Sequence, residues 1–298
     1  LNFAGSEDCR TQLTYLYDNL YSKGLYKDLW FMWEGKPLIM ADIRALEFKE
    51  EKDKEIFDFF TFRDNESTYF TDDFSYTDGT WGWCSDYPQA KFGKKLTGQI
   101  EQMCVSVAQN ANENGLTAMN SPVGTVQGRS FTQGEFSYTY SYGGKEIRAD
   151  KNIENSLLYG LNFQQQWDYA IENDPEFIFV TGFNEWIAGR FDTWSDVENA
   201  FPDQFDQEHS RDIEPMRGGH GDNYYYQMVA NIRRFKGMAG EDVKPQSKHK
   251  IRIDGNFADW DGVAAYEAIK GNTIHRNSRG WGDYHYINNS GRNDIVGA

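Results

Sequence analysis

The sequence predicts an α/β fold, a (β/α)8 TIM barrel whose N-terminal units lie outside this chain, followed by a C-terminal β-sandwich module that begins near residue 250. Three observations carry this expectation. Six short apolar runs, "LNF", "PLIMA", "FFTFR", "WGWCS", "CVSVAQ" and "FIFVTGF", occur with helical patterns between several of them, the order expected of a parallel sheet covered by helices. No run is followed by a Gly-rich phosphate loop, which argues against an open doubly wound sheet. After the polar linker "VKPQSKHK" the helical period stops and "IRIDGNFADWDGV" begins, so residues 1–238 and 249–298 are expected to form separate domains.

The elements follow in order. Ser6 suits a helix cap and Glu7 its first turn, and Leu13, Leu16, Tyr17, Leu20 and Tyr21 recur at helical spacing before Gly24. "KPLIMAD" reads as a strand ending on Asp42. "EEKDKEIFDFF" reads as a short helix running into "FFTFRDN", a strand ending on Arg63 and Asp64. "TWGWCSDYPQ" finishes on Ser85 and Asp86, and "QMCVSVAQN" on Gln109 and Asn110. Residues 111–150 are rich in Gly, Asn, Ser and Tyr without a helical period, too long for a plain connection. They predict a lid or a small hairpin insertion, with "GEFSYTYSY" as one strand. A helix then carries Leu157, Leu161, Trp167 and Ile171 on one face and stops at Asn173, Asp174 and Pro175. The last helix, "GDNYYYQMVANIRRFKG", is expected to turn Tyr225, Met228, Val229, Ile232 and Phe235 inward and to end at Gly237. Beyond the linker, Asp254-Gly255 marks a turn after a first strand, with Trp260 as a core or ligand-stacking ring.

Charge narrows the ligand. With 46 acidic against 30 basic residues the net charge is -16, which repels a phosphate backbone and argues against nucleic acid and anionic polymers. Neutral sugars are not excluded, and 9 Trp, 18 Tyr and 21 Phe supply rings that stack on sugar faces or fill a large core. Cys9, Cys84 and Cys104 show neither a zinc spacing nor a disulfide framework, which fits a reducing compartment or a secreted protein with buried thiols. No run approaches the about 18 apolar residues of a membrane span. No EF-hand or H-E-x-x-H pattern occurs, and no cofactor or metal is expected. The opening "LNFAGSEDCR" has no signal segment and reads as the interior of a longer chain.

In a barrel, polar residues at the C-terminal ends of strands face the active site. Asp42, Arg63, Asp64, Asp86, Gln109, Asn184 and Glu185 all stand at such ends, with Trp81, Trp83 and Trp186 beside them. Glycoside hydrolysis needs two carboxyl groups, one to protonate the leaving oxygen and one to act as nucleophile or base. "TGFNEWIAGRF", the later "RDIEPM" and the helix "DNYYYQMVANI" together resemble the glycoside hydrolase family 99-like and family 71-like group over residues 176–236. "IRIDGNFADWDGV" resembles the opening of family 9-like carbohydrate-binding modules. The resemblance implies a barrel glycosidase acting on an oligosaccharide or polysaccharide, for a secreted, periplasmic or cell-surface polysaccharide degrader. It implies Glu185 as a catalytic residue and Glu214, in "DIEP", as the counterpart of the I-E-P glutamate. Asp64 is the further catalytic candidate; Asp42, Arg63, Trp81, Trp83, Asp86, Gln109, Asn184 and Trp186 are the substrate-binding candidates.

The sequence departs from the family pattern where Ile187 and Ala188 stand in place of the His and second Glu of E-W-H-E. Endo-α-mannosidase chemistry that uses both glutamates therefore does not transfer as it stands. The second carboxylate is expected from Asp42, Asp64, Asp86 or the acidic segment 191–212, which otherwise reads as solvated surface. Within that segment Asp203, Asp206 and Glu208 are the oxygen ligands a calcium ion would use. If no second carboxylate is present, the chain is a non-catalytic carbohydrate-binding protein on a degraded barrel. A barrel lyase or isomerase is compatible with the same fold class.

Overall fold

The computed structural model describes residues 2–3, 8–66, 79–94, 96–112, 115–121, 126–132, 134–141, 143–186, 189–238, 249–263, 276–279 and 285–289. The chain divides into two units, Leu1–Ala239 and Gly240–Ala298.

In the first unit, apolar runs that can be covered on both faces pair in parallel. β1 (Asn2–Phe3) pairs with β3 (Lys36–Ala41), β3 with β4 (Thr61–Glu66), and β4 with β5 (Thr80–Gly82), while β2 (Met32–Trp33) adds antiparallel to β3. α1 (Cys9–Leu16), continued by a π turn over Tyr17–Tyr21, and α2 (Glu51–Phe59) cover this sheet. Cys9, Leu13, Tyr21, Ile39, Ile56 and Phe60 are buried in one cluster there. The expected cap Ser6 and first-turn Glu7 lie outside the described residues. Asp8 precedes α1 and makes no side-chain cap bond.

A second sheet joins β6 (Phe92–Lys94), antiparallel, and β12 (Phe177–Thr181), parallel, to the central β7 (Gln99–Ser106). Small hairpins follow β7: β8 (Ala111–Asn112) with β9 (Gly115–Leu116), then β10 (Phe136–Thr139) with β11 (Glu146–Ala149). α3 (Leu161–Asn173) and α4 (Asn223–Phe235) pack on β7 and β12 through Met103, Val105, Phe163, Trp167 and Tyr224. The apolar face of α4 is centred on Tyr224, Met228, Ile232 and Phe235 at i, i+4, i+8 and i+11, whereas Tyr225 is exposed. Leu157 is not in α3. It lies in a 3-10 turn, Ser156–Leu158, because Gly160 adopts φ +54 and a Cβ there would meet Gln227 Oε1 at 2.2 Å.

The eightfold barrel is not formed. The described residues hold mixed, mostly small sheets and four α-helices, and their parallel strands trace at most a half-barrel. A (β/α)8 barrel needs a helical crossover after each strand. Here β5 leads to β7 through the antiparallel β6, and β7 leads to α3 through two hairpins. The long buried runs were compatible with barrel staves, but the connections between them do not supply the helices.

In the second unit the Asp254-Gly255 turn is present: Gly255 has φ +84 and the Asn256 amide donates to Asp254 Oδ1 at 2.9 Å. The expected first strand before it is absent, since the Arg252 amide donates to the Asp259 carboxylate at 2.7 Å instead of to a ladder partner and Ile253 is fully exposed. β15 (Arg276–Arg279) and β16 (His285–Asn288) form an antiparallel pair. No β-sandwich exists among the described residues, and Trp260 is half exposed rather than part of a core. No helix of the described residues is long and apolar enough to cross a membrane.

Candidate functional site

β12 delivers the "GFNEW" segment. At its end Gly182 takes φ +74, where a Cβ would meet the Arg211 carbonyl oxygen at 2.6 Å. Only glycine tolerates both the dihedral and the approach. The Ile213 amide donates to the Gly182 carbonyl at 3.1 Å and the Glu214 amide to the Phe183 carbonyl at 2.8 Å. Segments 182–186 and 211–214 are thereby held side by side.

This pairing puts Arg211 against Glu185. Arg211 Nη2 donates to Glu185 Oε2 at 2.7 Å and also to Asp203, and Nη1 donates to Cys84 Sγ at 3.6 Å. The guanidinium lies 5.3 Å from the ring centre of Trp83, a cation–π contact on the face of the indole. Arg211 and Asp203 are buried, with side chains 5% and 8% exposed, whereas Glu185 is 35% exposed. Beside it, Trp186 Nε1 donates to Glu214 Oε2 at 2.7 Å.

A polar layer supports these rings. Trp186 stacks on His220 with centroids 5.9 Å apart and planes at 14°, and His220 meets the edge of Tyr224 at 5.1 Å. The Arg129 guanidinium covers Tyr224 at 4.5 Å and donates to Ser210 Oγ at 3.0 Å, which donates to Asp212 at 2.9 Å. Burial pushes His220 down to about 4, and the Arg129 cation acts in the same direction. Burial raises Asp212, against the Ser210 hydroxyl and the Glu185 amide, which lower it.

The other predicted residues separate into three groups. Arg63 and Trp81 are buried in structural contacts: Arg63 makes two bonds to Glu101, at 2.9 and 2.8 Å, and Trp81 Nε1 donates to the same carboxylate at 2.9 Å. Gln109 is equally buried, donating to Ser106 Oγ and accepting from Asn162. These three are closed to a substrate, contrary to expectation, because each polar group completes an internal hydrogen-bond network. Asp42, just after β3, and Asp64, within β4 rather than at its end, share Arg44. Asp42 accepts from its amide and Nε, both at 2.8 Å, and Asp64 lies 3.7 Å from its guanidinium. That side-chain bond holds Asp42 below the usual carboxylate range. Asn184 is exposed beside Glu185. Asp86 follows Cys84 and Ser85; burial pushes its carboxyl up to about 6, and its Oδ1 has no hydrogen-bond partner among the described residues.

Segment 191–212 is not a solvated loop. It opens with the hairpin β13 (Phe191–Trp194) and β14 (Val197–Ala200), and Asp203, Glu208, Ser210, Arg211 and Asp212 are buried. The three possible calcium ligands face different partners: Asp203 takes Arg211, Asp206 takes His209, and Glu208 takes the Ser130 and Phe131 amides. No group of three or more His, Cys, Asp or Glu side chains suited to a metal occurs among the described residues. Arg129, Arg211 and His220 were missed as site residues, while Asp203 was named only as a possible calcium ligand and Asp212 only as part of the acidic segment. The one available signal was "SRDIEP", where a cation and a carboxylate stand directly before the I-E-P segment. Ile187 and Ala188 lie outside the described residues.

In a comparison with family models, curated proteins and solved structures, the chain matches none of them.

Proposed function

We propose that the chain is a glycoside hydrolase acting on a neutral glycan, with Glu185 as the carboxylate at the reacting centre. The observation that carries this is the combination at the end of β12. A partly exposed carboxylate is fixed by a buried guanidinium, with Trp83 under that guanidinium and Trp186 next in the chain. Arg211 supplies the counter-charge for the ionised roles, nucleophile or base. Burial pushes the Asp86 carboxyl up to about 6, the direction that suits a general acid. Glu214 orients Trp186 through the indole bond. The "FNEW" and "DIEP" segments, resembling family 99-like and 71-like enzymes, support the same reaction class without requiring their barrel. The strongly acidic chain disfavours an anionic substrate and leaves a neutral glycan open.

The engagement of Glu185 by Arg211 and of Glu214 by Trp186 also favours a second reading, a protein that binds glycans without cleaving them. A panel of neutral aryl glycosides and oligosaccharides separates the two. Turnover abolished by Glu185→Gln supports hydrolysis, whereas saturable binding without turnover supports the second reading. Turnover unaffected by Glu185→Gln in a folded protein removes Glu185 from the mechanism.

A further inference from the structure

A cleft of about 360 Å³ lies where α3, α4, the β10–β11 hairpin and the loop after β5 meet. Gln165, Asp168, Tyr169 and Glu172 stand at i, i+3, i+4 and i+7 of α3 and so form one stripe along its side. Tyr138 and Ser141 line the cleft from the hairpin, Arg234 from α4 and Tyr87 from the loop. No residue of the Glu185 site belongs to it. Its most buried member, Asp168, is fully matched: Oδ1 accepts from Gln164 at 2.9 Å and from Arg234 Nη1 at 2.8 Å, and Oδ2 accepts from the Tyr138 hydroxyl and the Ser141 amide, both at 3.0 Å. Burial acts to raise this carboxyl, but the Ser141 amide, Arg234 and Gln164 together hold it below its ordinary value. Arg234 is committed in turn, to Asp168, to Asn231 and to Ser141 Oγ. These bonds fix the Tyr138 ring and leave neither Asp168 nor the charge of Arg234 for a ligand.

What remains to meet a ligand is a set of tyrosine rings, the Gln165 amide and one carboxylate. Tyr87, which is 46% exposed, and Tyr169 make a corner, with centroids 5.5 Å apart and planes at 76°. Tyr169 already takes a cation: Lys91 Nζ, from outside the lining, stands 5.5 Å from the centre of its ring, within the range of a cation–π contact. Glu172 is exposed and makes no ion pair or hydrogen bond among the described residues. Arg234 cancels Asp168, so Glu172 leaves the lining negative, on a chain whose net charge is -16. An anion is repelled by that balance. A neutral molecule leaves the carboxylate without a counter-charge and gains nothing from the negative ring faces. A bare metal ion finds a single unshared carboxylate. A cation with an apolar surface gains from both the rings and the carboxylate. We propose that this cleft binds an organic cation of the quaternary ammonium class, held by the rings of Tyr87 and Tyr169 with Glu172 as its counter-charge. The inference stands apart from the glycan reading of Glu185 and does not depend on it.

The test follows the tyrosine ring resonances of the full chain by NMR with tyrosine-selective labelling, at constant ionic strength. The probes are tetramethylammonium and choline. Dimethylbutanol, the uncharged analogue in which carbon replaces the choline nitrogen, and methyl glucoside are the comparators. The expected result is a saturable shift of Tyr87 and Tyr169 with both cations, with choline bound about tenfold more tightly than dimethylbutanol, the worth of a cation–π contact. Tyr87→Phe keeps the ring and is expected to bind like the parent. Tyr87→Leu removes it and is expected to weaken binding by about tenfold, and Glu172→Gln by about fivefold, the Coulomb term at a wet site. Both positions are exposed, so the variants are expected to melt with the parent. Equal affinity for dimethylbutanol would make the cleft a merely apolar depression, and tighter binding of methyl glucoside would make it a sugar site. Either result overturns the proposal, as does the absence of a saturable shift with the cations or undiminished binding in folded Tyr87→Leu or Glu172→Gln. Should a variant fail to fold, choline against dimethylbutanol on the parent decides.

Discussion

Glu185 and Asp203 both rest on Arg211, so one buried cation balances two carboxylates. Glu185→Gln keeps a hydrogen-bond acceptor for Arg211 and leaves Asp203 in place. Its expected signature is a turnover lower by roughly 10²- to 10⁴-fold, the usual worth of acid-base catalysis, with a small change in melting temperature. If the ion pair were merely structural, the melting temperature would fall and turnover would persist, so both are measured on the same preparation. Glu208 gives a pH prediction of definite sign. Its native carboxyl titrates at about 7 against an ordinary value of 4.5, so the native state holds the proton more tightly than the unfolded chain. Its contribution is thus lost progressively as pH rises from about 4.5 to 7 and stays lost above. Glu208→Gln removes the titration while keeping an oxygen for the Ser130 and Phe131 amides. Denaturant unfolding at pH 5 and pH 7.5 should show the variant gaining on the parent by on the order of 2 kcal/mol. Asp86 and His220, which shift in opposite directions, are common to both proteins and cancel in the comparison. A variant that loses stability relative to the parent as pH rises would contradict the burial of this carboxyl.

At the scale of elements, the site depends on a strand end meeting a return segment. Gly182 is the point of contact, and Gly182→Ala combines a left-handed dihedral with a clash against the Arg211 backbone. It should destabilise by about 1–3 kcal/mol and also reduce turnover, because the shift is transmitted to Arg211 and so to Glu185. Loss of stability without loss of turnover would show that the 182–211 contact does not position the site. Much of the element order was legible. "PLIMA", "FIFVT" and the helices around Trp167 and Ile232 announce themselves by apolar runs or by a helical period. Segment 191–212 was not, because its letters are those of a solvated loop and its burial arises from distant partners: Ser130 and Phe131 for Glu208, Trp83 for Arg211. Similarly, nothing in "WGWCS" reveals that Trp81 and Arg63 converge on Glu101 across the sheets. Strand ends singled out Asn184 and Glu185 alongside Arg63 and Gln109, whose polar groups point into the core networks.

At the scale of the whole molecule, local pattern showed which runs are strands but not how they close. Closure depends on the connections, and the hairpins between β7 and α3 occupy chain that a barrel would have spent on helices. The change of composition after Gly237 stands close to the division between Leu1–Ala239 and Gly240–Ala298. Every buried hydrophobic cluster among the described residues, from the one around Leu13 to the one around Leu161, draws its members from the first unit. The described part of the second unit exposes Ile253, Phe257 and Trp260. Removing residues 240–298 deletes no described member of those clusters, and the cost of truncation is expected to be small. A chain ending at Ala239 is expected to unfold cooperatively, with the melting temperature of the same transition in the full chain, and to retain the Glu185 chemistry, since Trp83, Asp203, Arg211 and Glu214 all remain. Circular dichroism melts and the aryl glycoside panel on both chains check this. A truncated chain that aggregates or loses its near-ultraviolet spectrum would show that the second unit completes the core of the first, and the two could no longer be treated as separate folding units.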